Sequence, residues 1–251
     1  MSAHRSSPAS DESSVVELRR YRLHPGARER LIDLFDREFV ETQEAVGMAV
    51  IGQFRDLDDA DSFVWLRGFC DMPSRAEALS AFYGGPVWAR HREDANRTMI
   101  NSDNVLLLRP ARHGSGFALP ERRSDVHARD LPQGLVIATI CHLAPRTEEA
   151  FVDFFAAFLA PQLVAASAKI LASFVTERSP NTFPRLPVRE GETVFAWFCG
   201  FASLASYEAH LTALARSQAW TADALPEMDR RIWRRNEVLR LAPTSRSLVL
   251  G

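Results

Sequence analysis

Two five-residue stretches, Trp65-Leu66-Arg67-Gly68-Phe69 and Trp197-Phe198-Cys199-Gly200-Phe201, place the same Trp, Gly and Phe at the same spacing, 132 residues apart. Outward from them, Trp88 falls on Trp220 at the same offset; one residue further on, Val105 meets Val238 and Pro110 meets Pro243. Toward the N-terminus the offset becomes 120. There Leu23-His24-Pro25 lies over Leu143-Ala144-Pro145, Glu29 over Glu149, Leu34-Phe35 over Phe154-Phe155, and Phe54 over Phe174. Ordered recurrence of two tryptophans and a Gly-Phe pair reads as one unit written twice, a tandem duplication.

The periodicities inside each copy give its elements. Val15 to Leu23 alternates and is rich in β-formers, so it reads as a strand. Leu31, Leu34, Phe35 and Phe39 form one helical stripe, mirrored by Phe151, Phe154, Phe155, Phe158 and Leu159. Met48 to Arg55 and Ser62 to Cys70 read as strands around the turn-like Asp56-Leu57-Asp58-Asp59. A second helical region runs from Ser74, breaks at Gly84-Gly85-Pro86 and resumes through Trp88 to about Met99, before a closing strand from Asn104 to Arg109. The order β-α-β-β-α-β is the ferredoxin-like arrangement. The fold class expected is therefore α+β, with two tandem ferredoxin-like domains whose bare sheet faces meet as an intramolecular α+β barrel. The boundaries are a tail at 1–14, domain one at 15–110, a linker at 111–134, domain two at 135–243 and a C-terminal tail at 244–251. The second copy carries an extra loop, roughly Glu177 to Glu192, punctuated by Pro180, Pro184 and Pro187. It reads either as a tolerated surface insertion or as the cover of a pocket mouth.

Composition limits the function classes. The chain has 251 residues, 46% hydrophobic and 25% charged, as befits a well-cored globular protein rather than a disordered one. Thirty basic residues against 32 acidic ones supply no global field for nucleic acid. No stretch approaches the ~18 apolar residues of a membrane helix. Cys70, Cys141 and Cys199 form no CxxC pair, which argues against a disulfide framework and a zinc site. The Ser-rich, acidic start lacks the apolar core of a signal peptide, so a cytoplasmic location is expected.

Val16-Glu17-Leu18-Arg19-Arg20-Tyr21-Arg22-Leu23-His24-Pro25-Gly26 resembles the opening strand of NIPSNAP-family domains, a Tyr/Val-Glu-Leu-Arg-x-Tyr-x-Leu-x-Pro-Gly stretch. The likeness continues through Phe63-Val64-Trp65-Leu66, the Ala-rich helix leading to Trp88, and Asn104-Val105-Leu106-Leu107-Leu108-Arg109-Pro110. The second half is similar in spacing, tryptophans and the Ala160-Pro161 step, but Ile137, Thr139 and Cys141 replace the Glu, Arg and Tyr. The resemblance implies a dimeric α+β barrel fold. It also implies a superfamily that includes cofactor-free monooxygenases, isomerases, haem-using enzymes and proteins without known chemistry, so it supplies a fold and not a reaction.

Strand parity sorts the candidate site. Val16 and Leu18 suit the helix-packed side, and Glu17, Arg19 and Tyr21 the opposite face, expected to line the barrel interior. With the first and third strands taken as parallel neighbours, Trp65 and Arg67 join them and Gln53 lies close by. Glu17, Arg19, Tyr21 and Arg67 are the candidate catalytic residues, offering a base, an anion clamp and a proton donor. Gln53 and Trp65, with Cys141, Ser173, Trp197 and Cys199 from the second half, are the candidate substrate-binding residues. A structural ion-pair network is the competing reading of the charged set. Cys141 and Cys199 share a parity on neighbouring strands and could approach each other, though buried inert thiols fit as well. Lys169, the one lysine, sits at a strand start beside solvent.

No histidine pattern suggests a metal, and none is expected. If haem were bound, His91 or His210 would be its ligand; His142 opens a connection to a helix. Nucleotide loops and a GxSxG elbow are absent, and Gly114-Ser115-Gly116 sits in linker composition. Arg230-Arg231-Ile232-Trp233-Arg234-Arg235 reads as a solvated helix face with Trp233 as a core anchor. The leading expectation is an enzyme using no cofactor, of monooxygenase or isomerase type, acting on a small, partly aromatic metabolite inside the barrel. The alternatives are a carrier or sensor of such a ligand, a protein-interaction module whose barrel is filled by its own side chains, and a haem-binding or haem-degrading barrel. The partner expected is a small molecule, with homo-oligomer formation left open.

Overall fold

The computed structural model describes residues 13–128 and 130–251; of the expected 1–14 tail, residues 1–12 lie outside the described residues. The first half comprises β1 (Val15–Leu23), α1 (Arg28–Leu34), a π-helical turn (Phe35–Phe39), α2 (Val40–Glu44), β2 (Ala49–Asp56), β3 (Ser62–Phe69), α3 (Met72–Gly84), α4 (Pro86–Asn96) and β4 (Met99–Pro110). The second repeats that order. It has β5 (Leu135–Leu143), α5 (Glu148–Phe154), a π-helical turn (Phe155–Leu159), α6 (Ala160–Ala165), β6 (Lys169–Thr176), β7 (Val194–Phe201), α7 (Leu204–Arg216), a further π-helical turn (Ala219–Ala224), α8 (Leu225–Arg231) and β8 (Ile232–Pro243). Local chemistry sets the boundaries. The Asp71 carboxylate accepts from the Ser74 backbone N–H at 2.7 Å and starts α3, and Ser203 caps α7 through Ser206 in the same way. Gly85 and Pro86 split the second helical region, because proline is tolerated in a first turn and not in a helix interior.

The strands close into an eight-stranded barrel in the order β1-β3-β2-β8-β5-β7-β6-β4. Every pairing is antiparallel, including β1 with β3, where Glu17 lies opposite Arg67 and Arg19 opposite Trp65. The expectation of parallel neighbours is corrected by connectivity. The helical crossover makes β2 parallel to β1, and the tight β2–β3 hairpin then returns β3 between them in the opposite sense. The halves join at two short seams, Phe54–Asp56 against Leu241–Pro243 and Leu108–Pro110 against Phe174–Thr176.

The parity assignment is also reversed. Val16, Leu18, Phe54, Val64, Leu66 and Phe198 point into the barrel and fill it with their own side chains. Tyr21, Trp65, Trp197 and Cys199 face outward, beneath the helices, and so do their same-parity neighbours Glu17, Arg19 and Arg67. Because both faces of β1 and β3 are buried along most of their length, alternation of polar and apolar residues could not say which face is inside.

Packed side chains narrow both barrel ends, with a cavity of about 480 Å³ left beside Val16, Ile51 and Phe117. At one, Phe117 from the expected linker packs on Phe174 and Phe198, and Val249 from the expected C-terminal tail enters the same apolar cluster. A Cβ on Gly200 would stand 2.6 Å from the Gly251 carbonyl carbon, so the crossing of the chain end requires glycine there. At the other end Arg20 pairs with Glu237, whose second carboxylate oxygen lies 2.8 Å from His142 Nε2. His142 is thus a β5 residue rather than a helix connector. Trp233 is 74% exposed at the start of β8, so it is no core anchor, and the arginine run spans the α8–β8 junction rather than one helix. Among the described residues no helix is long and apolar enough to cross a membrane.

Candidate functional site

Between the first half's sheet and its helices lies a fully buried charge cluster. Register builds its base: Arg19, Trp65 and Gln53 stand side by side across β1, β3 and β2, with Glu17 and Arg67 in the adjoining row. Arg19 Nη1 and Arg67 Nε donate to one Glu17 carboxylate oxygen at 2.6 and 2.8 Å, and Arg75 Nε donates to the other at 2.7 Å. Arg75 arrives from α3. Arg67 Nη1 also donates to Gln43 Oε1 at 3.2 Å, and the Gln43 amide donates to the Phe39 carbonyl in the π-helical turn. The π-helical turn is thereby tied to the cluster through a side chain.

Aromatic faces enclose the arginines. The Arg67 guanidinium carbon lies 5.1 Å from the Trp65 ring centre and that of Arg19 lies 5.6 Å from it. Phe35, in the π-helical turn, packs edge-on against Trp65 at 4.8 Å. Such contacts supply part of the stabilisation that water would give an exposed cation.

The electrostatics follow from this packing. Burial alone would raise the Glu17 carboxyl, but Arg67, Arg19 and Arg75 outweigh it and hold the group well below the usual carboxylate range. Glu17 is therefore held as an anion by its three arginines, which weighs against its expected role as base. Burial pushes the Tyr21 phenol up, against the nearby Arg19, whose Nε donates to the Tyr21 oxygen at 3.1 Å. Tyr21 thus keeps its proton. Three guanidinium charges face one carboxylate, leaving two positive charges uncompensated in the cluster. Arg67 Nη2, Arg75 Nη2 and the Trp65 indole N–H are buried donors without a protein partner among the described residues. Gln53, expected at the site, is buried with its amide likewise unpaired. The arrangement is rich in donors, positively charged and walled by aromatic rings, which suits a flat organic anion.

The second half's candidates occupy the equivalent layer, not this one. Trp197 packs on Phe155 as Trp65 does on Phe35, with Thr139 and Ser173 opposite it on the flanking strands. Cys141 and Cys199 lie in the same apolar cluster, but Cys199 pairs with Ile137, four residues from Cys141, or roughly 13 Å along the strand. The two thiols cannot meet. Burial pushes both up, that of Cys199 to about 12. Lys169 is exposed. His210 is buried, its Nδ1 2.8 Å from the Ala166 carbonyl oxygen, and His91 lies at the helix edge 3.6 Å from Glu38. No group of three or more metal-ligating side chains occurs among the described residues.

Sequence reasoning missed Arg75, Gln43 and Tyr83 on helices, and Asn181, Thr182 and Phe183 in the insertion. That loop crosses from the second half to the first. Arg75 Nη1 donates to Asn181 Oδ1 at 3.0 Å and Thr182 Oγ1 at 3.1 Å, and Phe183 stacks on Tyr83 at 5.9 Å. These contacts pack the insertion onto the first half.

Residues 16–113 match the model of the NIPSNAP family. No curated protein matches the chain in sequence. The solved structure of a candidate monooxygenase from Lactobacillus acidophilus is 12% identical, covering 96% of this chain and 100% of its own, with a TM-score of 0.56. A candidate monooxygenase from Fusobacterium nucleatum is 10% identical, covering 96% and 97%, with a TM-score of 0.60. An anthrone oxidase-like protein is 12% identical, covering 93% and 92%, with a TM-score of 0.59. At these identities the likeness is one of fold, a two-unit α+β barrel along nearly the whole chain.

Proposed function

We propose, on the premise that the first half of this chain is a NIPSNAP domain, that the protein is an enzyme needing no cofactor, which binds a small, conjugated anion beneath the helices of that half. The two halves are read as a tandem duplication in which one copy carries the site. The observation behind the reading is the imbalance at Glu17: three buried arginines on one carboxylate, with buried donors left over among the described residues. Buried charge is tolerated where it is paired, so an anionic ligand completes the set.

In this reading Arg67 and Arg75 hold the anion, Trp65 lies along its conjugated body, and Tyr21 supplies a proton. A site with surplus positive charge favours the enolate or phenolate form of an acidic substrate. Reprotonation of that anion at another atom by Tyr21 is an isomerisation. Reaction with dioxygen instead converts a CH2 into a carbonyl, with the second oxygen atom leaving as water, so no external reductant is required.

A second reading, carriage without turnover, is favoured by the clamped state of Glu17, which leaves no free base in the cluster. Oxygen uptake with an anthrone as probe separates the two. An enzyme consumes oxygen above the uncatalysed rate, and Tyr21→Phe lowers that rate about 100-fold. A carrier binds the probe with no uptake. Absence of both binding and uptake for anthrones and other enolisable aromatics contradicts the reading altogether.

A further inference from the structure

The insertion that distinguishes the second half reaches the arginine cluster of the first half with neutral acceptors. Asn181 and Thr182 satisfy Arg75 Nη1, and the Thr182 hydroxyl also contacts the Met72 carbonyl at 3.3 Å. Phe183, 8% exposed, closes on Tyr83, and the Arg189 backbone N–H donates to the Val105 carbonyl on β4. Thr182 itself is exposed and Asn181 half-buried, whereas Arg75 is buried, so the loop is the layer that separates Arg75 from solvent. Beside it a cleft of about 360 Å³, walled largely by the loop's own two arms, runs along Leu106 and Leu107 on β4 and reaches Asn181.

We propose that residues 177–192 are a lid over the first half's anion site, and that the group admitted is dianionic, Asn181 and Thr182 holding Arg75 until the ligand's acidic oxygens replace them. This rests on the anion-site reading above and adds the ligand's charge and its route. The charge follows from the count: Glu17 neutralises one of three guanidiniums, and a singly charged group leaves one buried cation uncompensated. The exchange follows from bond type, since a charge-assisted pair to a guanidinium is stronger than one to an amide or hydroxyl oxygen. Access follows from the lid, because Asn181 both holds Arg75 and lines the cleft, so withdrawal of the loop uncovers Arg75 on that side.

The test is calorimetric titration of the full chain with inorganic phosphate, succinate and acetate at constant ionic strength. At least one dianion binds at a single site, with acetate about tenfold weaker or worse. Arg75→Gln removes that binding. The double variant Asn181→Ala, Thr182→Ala tightens it about threefold or more, because the closed lid no longer competes for Arg75. A merely structural loop gives the opposite sign: weaker binding, or none of this change. Acetate binding as tightly as the dianions, or a loop variant that fails to tighten them, overturns the proposal. Should conjugated monoanions still bind in an Arg67-dependent way, only the dianion and lid are lost. Should no anion of any kind bind, the site reading falls with them.

Discussion

The two helix–sheet layers of this molecule share a scaffold and differ in chemistry. Each has a strand tryptophan packed under a π-helical turn, Trp65 beneath Phe35 and Trp197 beneath Phe155. At the positions of Glu17, Arg19, Tyr21 and Arg67, however, the second half has Ile137, Thr139, Cys141 and Cys199, and at Arg75 it has Tyr207. The second layer forms an apolar cluster that needs no partner beyond itself. The first buries an excess of charge, which stability alone does not favour, since a well-packed apolar set of similar volume is often as stable or more so. The comparison teaches that the fold requires only the aromatic frame. The charges are an addition to it, and the second half has put its extra length into the loop that covers them.

The sharpest way to break the comparison is Glu17→Gln, which leaves three buried guanidiniums without their anion. We expect a loss of about 3–5 kcal/mol in urea unfolding, against about 1 kcal/mol for Ile137→Val at the matching position. The pH dependence carries a sign. Because the folded Glu17 carboxyl titrates below its ordinary 4.5, its contribution is present above that value and is lost as pH falls through the folded one. Wild type thus loses stability into acid more steeply than Glu17→Gln. Equal acid limbs would show that the cluster does not act as drawn.

Phe183→Ala comes next, at about 3 kcal/mol, and it also speeds access of small anions to the first layer. If quenching of tryptophan fluorescence by iodide is unchanged in this variant, the loop is not the cover. Asp36, buried in the first π-helical turn, runs the other way. Burial pushes its carboxyl up to about 6, against the opposing pull of Arg246 and Arg123. A raised carboxyl stabilises most below its ordinary 3.8 and loses that contribution as pH rises through the folded value. Asp36→Asn is therefore expected to gain about 3 kcal/mol at pH 8 and well under 1 kcal/mol at pH 4. The thiols give a smaller readout: the exposed Cys70 labels with iodoacetamide in the native state, while Cys141 and Cys199 label only on unfolding. Trp233→Ala, at a largely exposed position, changes stability by about 0.5 kcal/mol or less.

Much of this was legible in the residues. The recurring Trp and Gly-Phe positions mark matching strands, and a β-α-β-β-α-β order leaves few ways to cover two sheets. Glu17, Arg19, Tyr21, Trp65 and Arg67 do gather in one place, as strand parity requires. Which side of the sheet they occupy was not legible, because a closed barrel under helices buries both faces and removes the polar alternation that would tell them apart. Arg75 was hidden among the charges of an ordinary helix. The signal that could have found it is the contrast between halves, an arginine where the repeat has Tyr207. The destination of the insertion lies beyond local pattern altogether, for Asn181 and Arg75 are 106 residues apart.

The central claim is that the first layer holds an anion and the second does not. Calorimetric titration with 1-hydroxy-2-naphthoate, a flat conjugated anion, addresses it directly in wild type, Arg67→Gln and the matched Cys199→Ala. The account predicts one site per chain, about tenfold or more weaker in Arg67→Gln and unchanged in Cys199→Ala. Binding that is indifferent to Arg67, or that responds equally to Cys199, would contradict it.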